Sequence, residues 1–143
     1  MTTIDQKFIK RKFEALQDYI NKLDELRTTS AKDYAADYRN HAIAEHYLQL
    51  CIEIVLDVSR HLVISLNLKT PEESHGLFPA LEKANVLSAD FVQRNLKMPG
   101  FRNRLVHEYE GVDHAKTYAY LQEHLRDFKE FMKQISGHLL ATK

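Results

Sequence analysis

The stretch LQLCIEIVLDVSRHLVISL, residues 48–66, is apolar on more than one face when it forms a helix. Two rows of apolar side chains recur at steps of mostly three and four residues, the spacing of helix faces. The rows are Ile43, Tyr47, Leu50, Ile54, Val58 and Leu62, and Leu48, Ile52, Val55, Leu56 and Val63. Such a helix is buried on several sides. A short chain offers few places for the extra face, so the pattern predicts a subunit interface.

The rest of the chain favours further helices around this one. The 143 residues include only 4 glycines and 3 prolines, which leaves few turn residues for β-hairpins. The length is that of one domain, residues 1–143. We therefore predict an all-α, up-and-down bundle of four long helices and a short one. The predicted segments are 5–27, 32–66 with Ser30 as its cap, 77–84, a run that Ser88 caps, a run that starts at Phe101 after a Pro99-Gly100 break, and 114–135 with Asp113 as its cap.

Composition limits the compartment and the partners. Cys51 is the only cysteine, which excludes an internal disulfide, and its apolar surroundings indicate a small buried side chain rather than a nucleophile. The chain opens without an apolar signal region, and no segment has the ~20 apolar residues that span a bilayer, so we expect a cytoplasmic protein. Lysine plus arginine and aspartate plus glutamate number 20 each, which argues against coating nucleic acid by bulk charge.

The stretch KMPGFRNRLVHEYEG, residues 97–111, combines a predicted helix start with basic residues. No acidic residue lies between Asp90 and Glu108, whereas the same region contains Arg94, Lys97, Arg102 and Arg104. A break at Pro99-Gly100 would place Arg102 and Asn103 in the first turn of a helix. Free backbone N–H groups and the helix dipole favour an anion there, so the sequence predicts a phosphate site at Arg102, with Lys97 and Arg104 as further phosphate contacts.

His107 supplies a group that exchanges protons near neutral pH. It lies five residues after Arg102, about 140° around the helix, so both face one cleft only if the cleft is wide or a second subunit completes it. Arginine and histidine without a metal suit the transesterification of RNA. The pattern equally fits an ordinary polar helix start followed by the packed pair Leu105 and Val106.

Two other segments place histidine and acidic side chains close together on a predicted helix. Glu53, Asp57 and His61 follow one another at four-residue steps and so begin a carboxylate–histidine face. Metal-binding bundles need a second set of such ligands from other helices, and none is apparent, so we expect a solvated or hydrogen-bonded Asp57–His61 pair and no metal. The segment YRNHAIAEHY, residues 38–47, contains Arg39, His41 and His46 beside Asp37 and Glu45 and is interpreted as an ordinary helix surface.

The residues MPGFRNRLVHEY resemble the signature of the HepT family, within the HEPN superfamily of helical ribonucleases. Arg102, Asn103 and His107 match the superfamily motif, and Tyr109 matches the tyrosine that HepT-like proteins place two residues after the histidine. The resemblance covers nearly the whole chain, through IEIVLDVSRHL, LFPALEKANVLS and GFRNRLVHEYEGVD. It implies a dimeric helical bundle that acts as a metal-independent RNase toxin, with no cofactor. It also implies an MntA-type nucleotidyltransferase antitoxin that transfers AMP to Tyr109.

The resemblance also assigns roles to the motif. His107 is the expected general acid and base, Arg102 stabilises the charged phosphorus intermediate, and Asn103 orients the histidine or the substrate. Asp57 and His61 are expected only as supporting residues. Since HEPN-type bundles also occur as partners of nucleotidyltransferases, the alternative function is a non-catalytic module that binds a nucleotide or a transferase.

Overall fold

A computed structural model describes residues 3–107 and 111–141 of the chain. These ranges are helical and contain no strand, which confirms the all-α prediction. Three long helices of 22, 28 and 28 residues are accompanied by four shorter ones, rather than four long and one short. The helices are α1 (Gln6–Arg27), α2 (Ala31–Ala36), α3 (Tyr38–Ser65), α4 (Leu77–Lys83), α5 (Ala89–Arg94), α6 (Met98–His107) and α7 (His114–Ala141), with a 3₁₀ turn at Ser74–Gly76.

Helix α3 lies at the centre of the bundle and contacts α1, α2, α4, α6 and α7. These neighbours bury nearly all of both apolar rows of α3, from Leu48 to Val63. Only Ile43, near the start of α3, stays 45% exposed among the row residues. The extra apolar face is thus covered by the chain's own helices, and it does not indicate a subunit interface.

The predicted helix over 32–66 is two helices that meet at Asp37. The Asp37 backbone is extended, with φ −105° and ψ 108°, so it ends α2 and begins α3. Its carboxylate accepts a hydrogen bond from the Arg39 backbone N–H at 3.0 Å and so caps α3. A single extended aspartate therefore ends one helix and begins the next where the sequence has neither glycine nor proline.

Side-chain caps fix most of the other helix starts. Asp5, Ser30 and Ser88 accept hydrogen bonds from the backbone of α1, α2 and α5, as the sequence predicted for the two serines. Asp113 accepts from the Ala115 backbone N–H at 3.0 Å and caps α7. Helix α7 continues to Ala141, six residues beyond its predicted end, because Ser136 and Gly137 do not break it.

Helix α6 begins at Met98, three residues before the predicted start. Pro99 and Gly100 lie inside its first turn, where proline fits because an N–H at that position has no partner within the helix. Helix α3 and the 3₁₀ turn contact α6, and Phe101 of α6 stacks on Tyr120 of α7. Within the described ranges, no helix is long and apolar enough to cross a membrane.

Candidate active site

Arg102 projects from α6 onto α3. Its Nη2 donates a hydrogen bond to Glu53 Oε1 at 3.0 Å, and its Nη1 donates to Asn103 Oδ1 at 3.3 Å. Gln49, one turn earlier on α3, donates to the same Glu53 oxygen at 3.1 Å. Arg102 and Glu53 keep about a third of their side-chain surface exposed, at 32% and 31%. The guanidinium is thus oriented by the protein and still accessible to a ligand.

The predicted anion site at the start of a helix is wrong for Arg102. Because α6 begins at Met98, Arg102 lies in its second turn rather than at its N-terminus. The N–H groups near the start are also used: Met98 donates to the Asn95 carbonyl at 3.0 Å and Phe101 to the Lys97 carbonyl at 2.9 Å. The charge at this position comes from the guanidinium and not from the helix dipole.

His107 is the last residue of α6 and is exposed. No hydrogen bond or ion pair joins it to a residue within 3–107 or 111–141, so the structure does not bring it into direct contact with Arg102. Leu105 and Val106 are half-buried, as expected for the packed side of this helix. Tyr109, the predicted AMP acceptor, lies outside the described residues.

Of the four cations in the predicted basic patch, two are paired with carboxylates and two have no ion pair to a residue within 3–107 or 111–141. Arg94 is neutralised by Asp90 and by the buried carboxylate of Asp127, which its Nη2 contacts at 2.9 Å. Arg102 pairs with Glu53, as described above. Lys97 and Arg104 form no ion pair within the described part of the chain, and the Arg104 guanidinium lies 5.7 Å from the centre of the Phe101 ring.

Lys97, Asn103 and Arg104 line an open cleft of about 650 Å³ along the outer side of α6. Glu72 and Glu73, in the loop before α4, line the same cleft. The cleft is therefore of mixed charge, with its basic wall formed by α6. A phosphate-bearing ligand is attracted to that wall and repelled by the opposite one.

The buried face of α6 is anchored to α7 by stacked rings. Phe101 stacks on Tyr120 with ring centres 4.0 Å apart, and Tyr120 stacks on His124 at 4.4 Å. His124 Nδ1 lies 2.9 Å from Asp127, which is 1% exposed and also bonded to Arg94. Burial opposes the charge of Asp127, but the hydrogen bonds from His124 and Arg94 outweigh it and lower the pKa of this carboxyl. This packing fixes the helix that carries Arg102.

The hydrogen-bonded alternative predicted for Asp57 and His61 is wrong. Asp57 pairs instead with Lys12 at 3.3 Å and with Arg60 at 3.8 Å. His61 Nε2 accepts a hydrogen bond from the Asp5 backbone N–H at 3.0 Å. Both residues attach α1 to α3, and neither is bonded to Arg102, Asn103 or His107. Glu53, the first residue of that face, is the one that contacts Arg102.

Cys51 is fully buried, and burial raises the pKa of its thiol, as expected for a core side chain rather than a nucleophile. The interpretation of residues 38–47 as an ordinary helix surface is only partly correct. Arg39 and His46 are exposed, but His41 and Glu45 are half-buried and face His114 at the start of α7. Sequence reasoning missed this cluster because His114 lies 69 or more residues along the chain from the other two members.

Comparison with known proteins supports the motif assignment at the level of the family. Residues 16–135 match the family described as Ribonuclease HepT-like. The chain is 26% identical over 143 residues, 100% of its length and 97% of the relative's, to the tRNA nuclease HepT of Aphanizomenon flos-aquae. It is 31% identical over 90 residues, 63% of this chain and 68% of the relative, to the mRNA nuclease HepT of Shewanella oneidensis.

Solved structures share the fold. One is the tri-AMPylated HEPN toxin of Shewanella oneidensis in complex with its MNT antitoxin, with a TM-score of 0.82 and 24% identity. That similarity covers 91% of this chain and 97% of the toxin chain. The arrangement of helices around α3 is therefore that of known HEPN bundles.

Proposed function

Since this chain belongs to the Ribonuclease HepT-like family, we propose that it is an endoribonuclease toxin that cleaves RNA with Arg102 and His107. The observation that carries the proposal is the orientation of the Arg102 guanidinium, which Glu53 and Asn103 hold while a third of the side chain stays exposed. An oriented and accessible cation suits a phosphate whose charge increases during the reaction.

The proposed reaction is a transesterification within RNA. The ribose 2′-oxygen forms a bond to the adjacent phosphorus, and the bond from phosphorus to the 5′-oxygen breaks, which leaves a cyclic phosphate and a 5′-hydroxyl. His107 takes the proton from the 2′-hydroxyl or gives one to the leaving 5′-oxygen. Arg102 stabilises the charge on the phosphorus intermediate, and Asn103 helps to orient the guanidinium or the substrate. These groups supply both proton transfer and charge stabilisation, so the step requires no metal.

Lys97 and Arg104 are proposed as RNA contacts. They line the cleft beside Asn103 and are free of ion pairs to described residues. Contacts of this kind attract the RNA backbone without reading its bases. The two relatives are named as a tRNA nuclease and an mRNA nuclease, so their names point to different classes of RNA. Cleavage assays with both classes identify the substrate of this chain.

We further propose that two chains form the active cleft together. Arg102 and His107 lie about 140° apart around α6, which a second subunit reconciles by supplying the missing group. The proposal is tested by mixing Arg102→Ala with His107→Ala protein. If each site takes its arginine from one chain and its histidine from the other, half of the dimers in an equal mixture combine the two variants. Each of these dimers has one intact site out of two, so the mixture should regain up to about a quarter of the wild-type activity. No regained activity contradicts a shared site.

The proposed partner is an MntA-type nucleotidyltransferase that inactivates the toxin. The Tyr109 hydroxyl oxygen would attack the α-phosphorus of ATP, forming a new P–O bond while pyrophosphate leaves and the hydroxyl proton passes to a base of the transferase. The added phosphate carries negative charge next to the RNase motif and repels the substrate phosphate. The solved complex of an AMPylated HEPN toxin with an MNT antitoxin supports this proposal by analogy.

Intact mass after co-expression with the transferase tests the modification. Wild-type protein should gain AMP, and Tyr109→Phe should gain none. AMP on the phenylalanine variant would place the acceptor elsewhere in the chain.

The alternative is a non-catalytic module that binds a nucleotide or a transferase. It predicts tight binding to the transferase without any RNA cleavage by the isolated protein. A purified chain that cleaves RNA, and loses the activity on His107→Ala, excludes the alternative. His138→Ala is the matched control, because His138 lines a separate cleft with Ser88 and Gln134 at the far end of α7.

A further inference from the structure

Two histidines and a glutamate converge where the start of α7 meets α3. His41 and Glu45 lie one turn apart on α3, and His114 is the first residue of α7. A nitrogen of each histidine and a carboxylate oxygen lie within 4.8 Å of one another. Among the described residues, this is the only set of three histidine, cysteine or acidic side chains placed closely enough to hold a metal ion.

The carboxylate is the centre of the cluster. Glu45 Oε2 lies 2.6 Å from His114 Nδ1, and Glu45 Oε1 lies 4.0 Å from His41 Nδ1. The side chains of His41 and Glu45 are 15% and 16% exposed, and that of His114 is 40% exposed. The cluster is thus shielded on its α3 side and open to solvent at His114, which gives an ion a path of entry.

A second layer of hydrogen bonds orients the carboxylate. A carboxylate only accepts, so the Thr117 hydroxyl donates to Glu45 Oε2, at 2.8 Å. The Thr117 oxygen in turn accepts from the buried Tyr34 hydroxyl at 2.7 Å. Because the single Thr117 hydroxyl hydrogen points to Glu45, Tyr34 is the donor in its contact with Thr117. Metal-binding carboxylates are held by hydrogen bonds of this kind.

The ligand set selects the kind of ion. Two imidazoles and one carboxylate suit zinc, which binds such sets with an open fourth position for water. Magnesium and calcium prefer oxygen ligands, and soft ions prefer sulfur. The cluster contains one oxygen ligand and no cysteine, so it favours zinc over either class.

We propose that His41, Glu45 and His114 bind one zinc ion, which clamps the start of α7 to α3 independently of RNA cleavage. In the structure the two imidazole rings stack, with centres 3.6 Å apart and planes 20° apart. Tetrahedral bonds of about 2 Å to zinc require the ring centres to separate to roughly 5 Å. Rotation of the partly exposed His114 side chain provides this separation, so zinc binding replaces the stack.

The clamp joins two parts of the chain that flank the motif. Residues 108–113 connect His107, the last residue of α6, to His114, the first residue of α7. A zinc ion bound to His114 therefore fixes the end of this connecting segment that joins α7. Zinc should therefore stabilise the bundle without taking part in the proposed RNase step. Cleavage in EDTA and zinc binding are separate measurements, and failure of one leaves the other unaffected.

The test is a calorimetric titration of the full chain with zinc, after EDTA treatment and desalting. We expect one zinc ion per chain and a thermal midpoint that rises with zinc concentration. Magnesium should produce neither effect. Loss of a ligand in His41→Ala or His114→Ala should weaken zinc binding at least tenfold, and Thr117→Val should weaken it by about 10- to 100-fold through the carboxylate.

The matched control is His46→Ala, because His46 is an exposed histidine of α3 next to Glu45 and outside the cluster. It should bind zinc like the wild type. Cobalt(II) gives a second measurement that does not depend on stability, since its visible absorption reports four-coordination by nitrogen and oxygen and should disappear in His114→Ala. The proposal is overturned if wild-type protein binds no zinc, or if the cluster variants and the control bind it equally.

Discussion

Replacing Glu53 by alanine removes the carboxylate that Arg102 contacts from α3. The two side chains lie 3.0 Å apart and are each about one-third exposed. An ion pair with this exposure contributes about 0.5 kcal/mol to folding, so the thermal midpoint should fall by only about 2 °C. The bundle of Glu53→Ala should therefore stay folded at the assay temperature.

The expected effect on catalysis is larger than the effect on folding. Without Glu53, Arg102 keeps only its 3.3 Å bond to Asn103 and loses its fixed direction. Misplacement of a group that stabilises transition-state charge costs on the order of 10- to 100-fold in rate, which corresponds to about 1.4–2.7 kcal/mol. We expect this loss in kcat, with a smaller change in KM, because Glu53 itself does not contact the substrate.

The assay is single-turnover cleavage of a labelled RNA in EDTA. Glu53→Gln should lie between wild type and Glu53→Ala, because its amide oxygen still accepts from Arg102 without the charge. Glu82→Ala, on α4, is the matched control and should cleave like the wild type. In an Arg102→Ala background, the Glu53 change should cost nothing further. Undiminished cleavage by Glu53→Ala, or an equal further loss in the Arg102→Ala background, would refute the positioning role.

Three further predictions concern stability, reactivity and RNA binding. Asp127→Asn should destabilise the bundle by about 3 kcal/mol, because it breaks a buried ion pair. Folding lowers the pKa of Asp127, so its charged form stabilises the wild type fully at neutral pH and progressively less below about pH 4. The difference in unfolding free energy between wild type and variant, measured by urea titration, should therefore shrink below that pH. Cys51 should react with thiol reagents only after unfolding, because it is buried and burial raises its pKa; rapid labelling of folded protein would contradict this. Lys97→Ala combined with Arg104→Ala should weaken RNA binding and reduce its salt dependence, as measured by filter binding, and an unchanged salt slope would remove both residues from the RNA path.

Local patterns predicted the helices well wherever a cap or an apolar row marked them. Ser30, Ser88 and Asp113 were predicted as caps and act as such. The start of α6 was misplaced because a Pro-Gly pair was interpreted as a break, whereas proline also fits inside the first turn of a helix. The break at Asp37 was missed because one extended aspartate ends and begins a helix with no glycine or proline to mark it.

Contacts between distant residues could not be read from the sequence. Arg102 and Glu53 are 49 residues apart, and Arg94 and Asp127 are 33 residues apart. The ion pairs that neutralise these two arginines of the predicted basic patch are therefore recognised only in the three-dimensional structure. The candidate site residues themselves came from the motif and its resemblance. Their roles, the dimer and the single domain over 1–143 stay predictions, and the AMP acceptor Tyr109 lies outside the described residues.

RNA cleavage by the purified chain in EDTA, with wild type and His107→Ala compared side by side, tests whether His107 transfers protons in a metal-independent RNase. We predict that the wild type cleaves RNA and leaves a cyclic phosphate end, while His107→Ala loses the activity and His138→Ala keeps it. Far-ultraviolet circular dichroism should show the same helix content in all three proteins. Cleavage that persists in His107→Ala would contradict the proton-transfer role of His107. Cleavage that the wild type performs only after a divalent metal is added would contradict a metal-independent reaction.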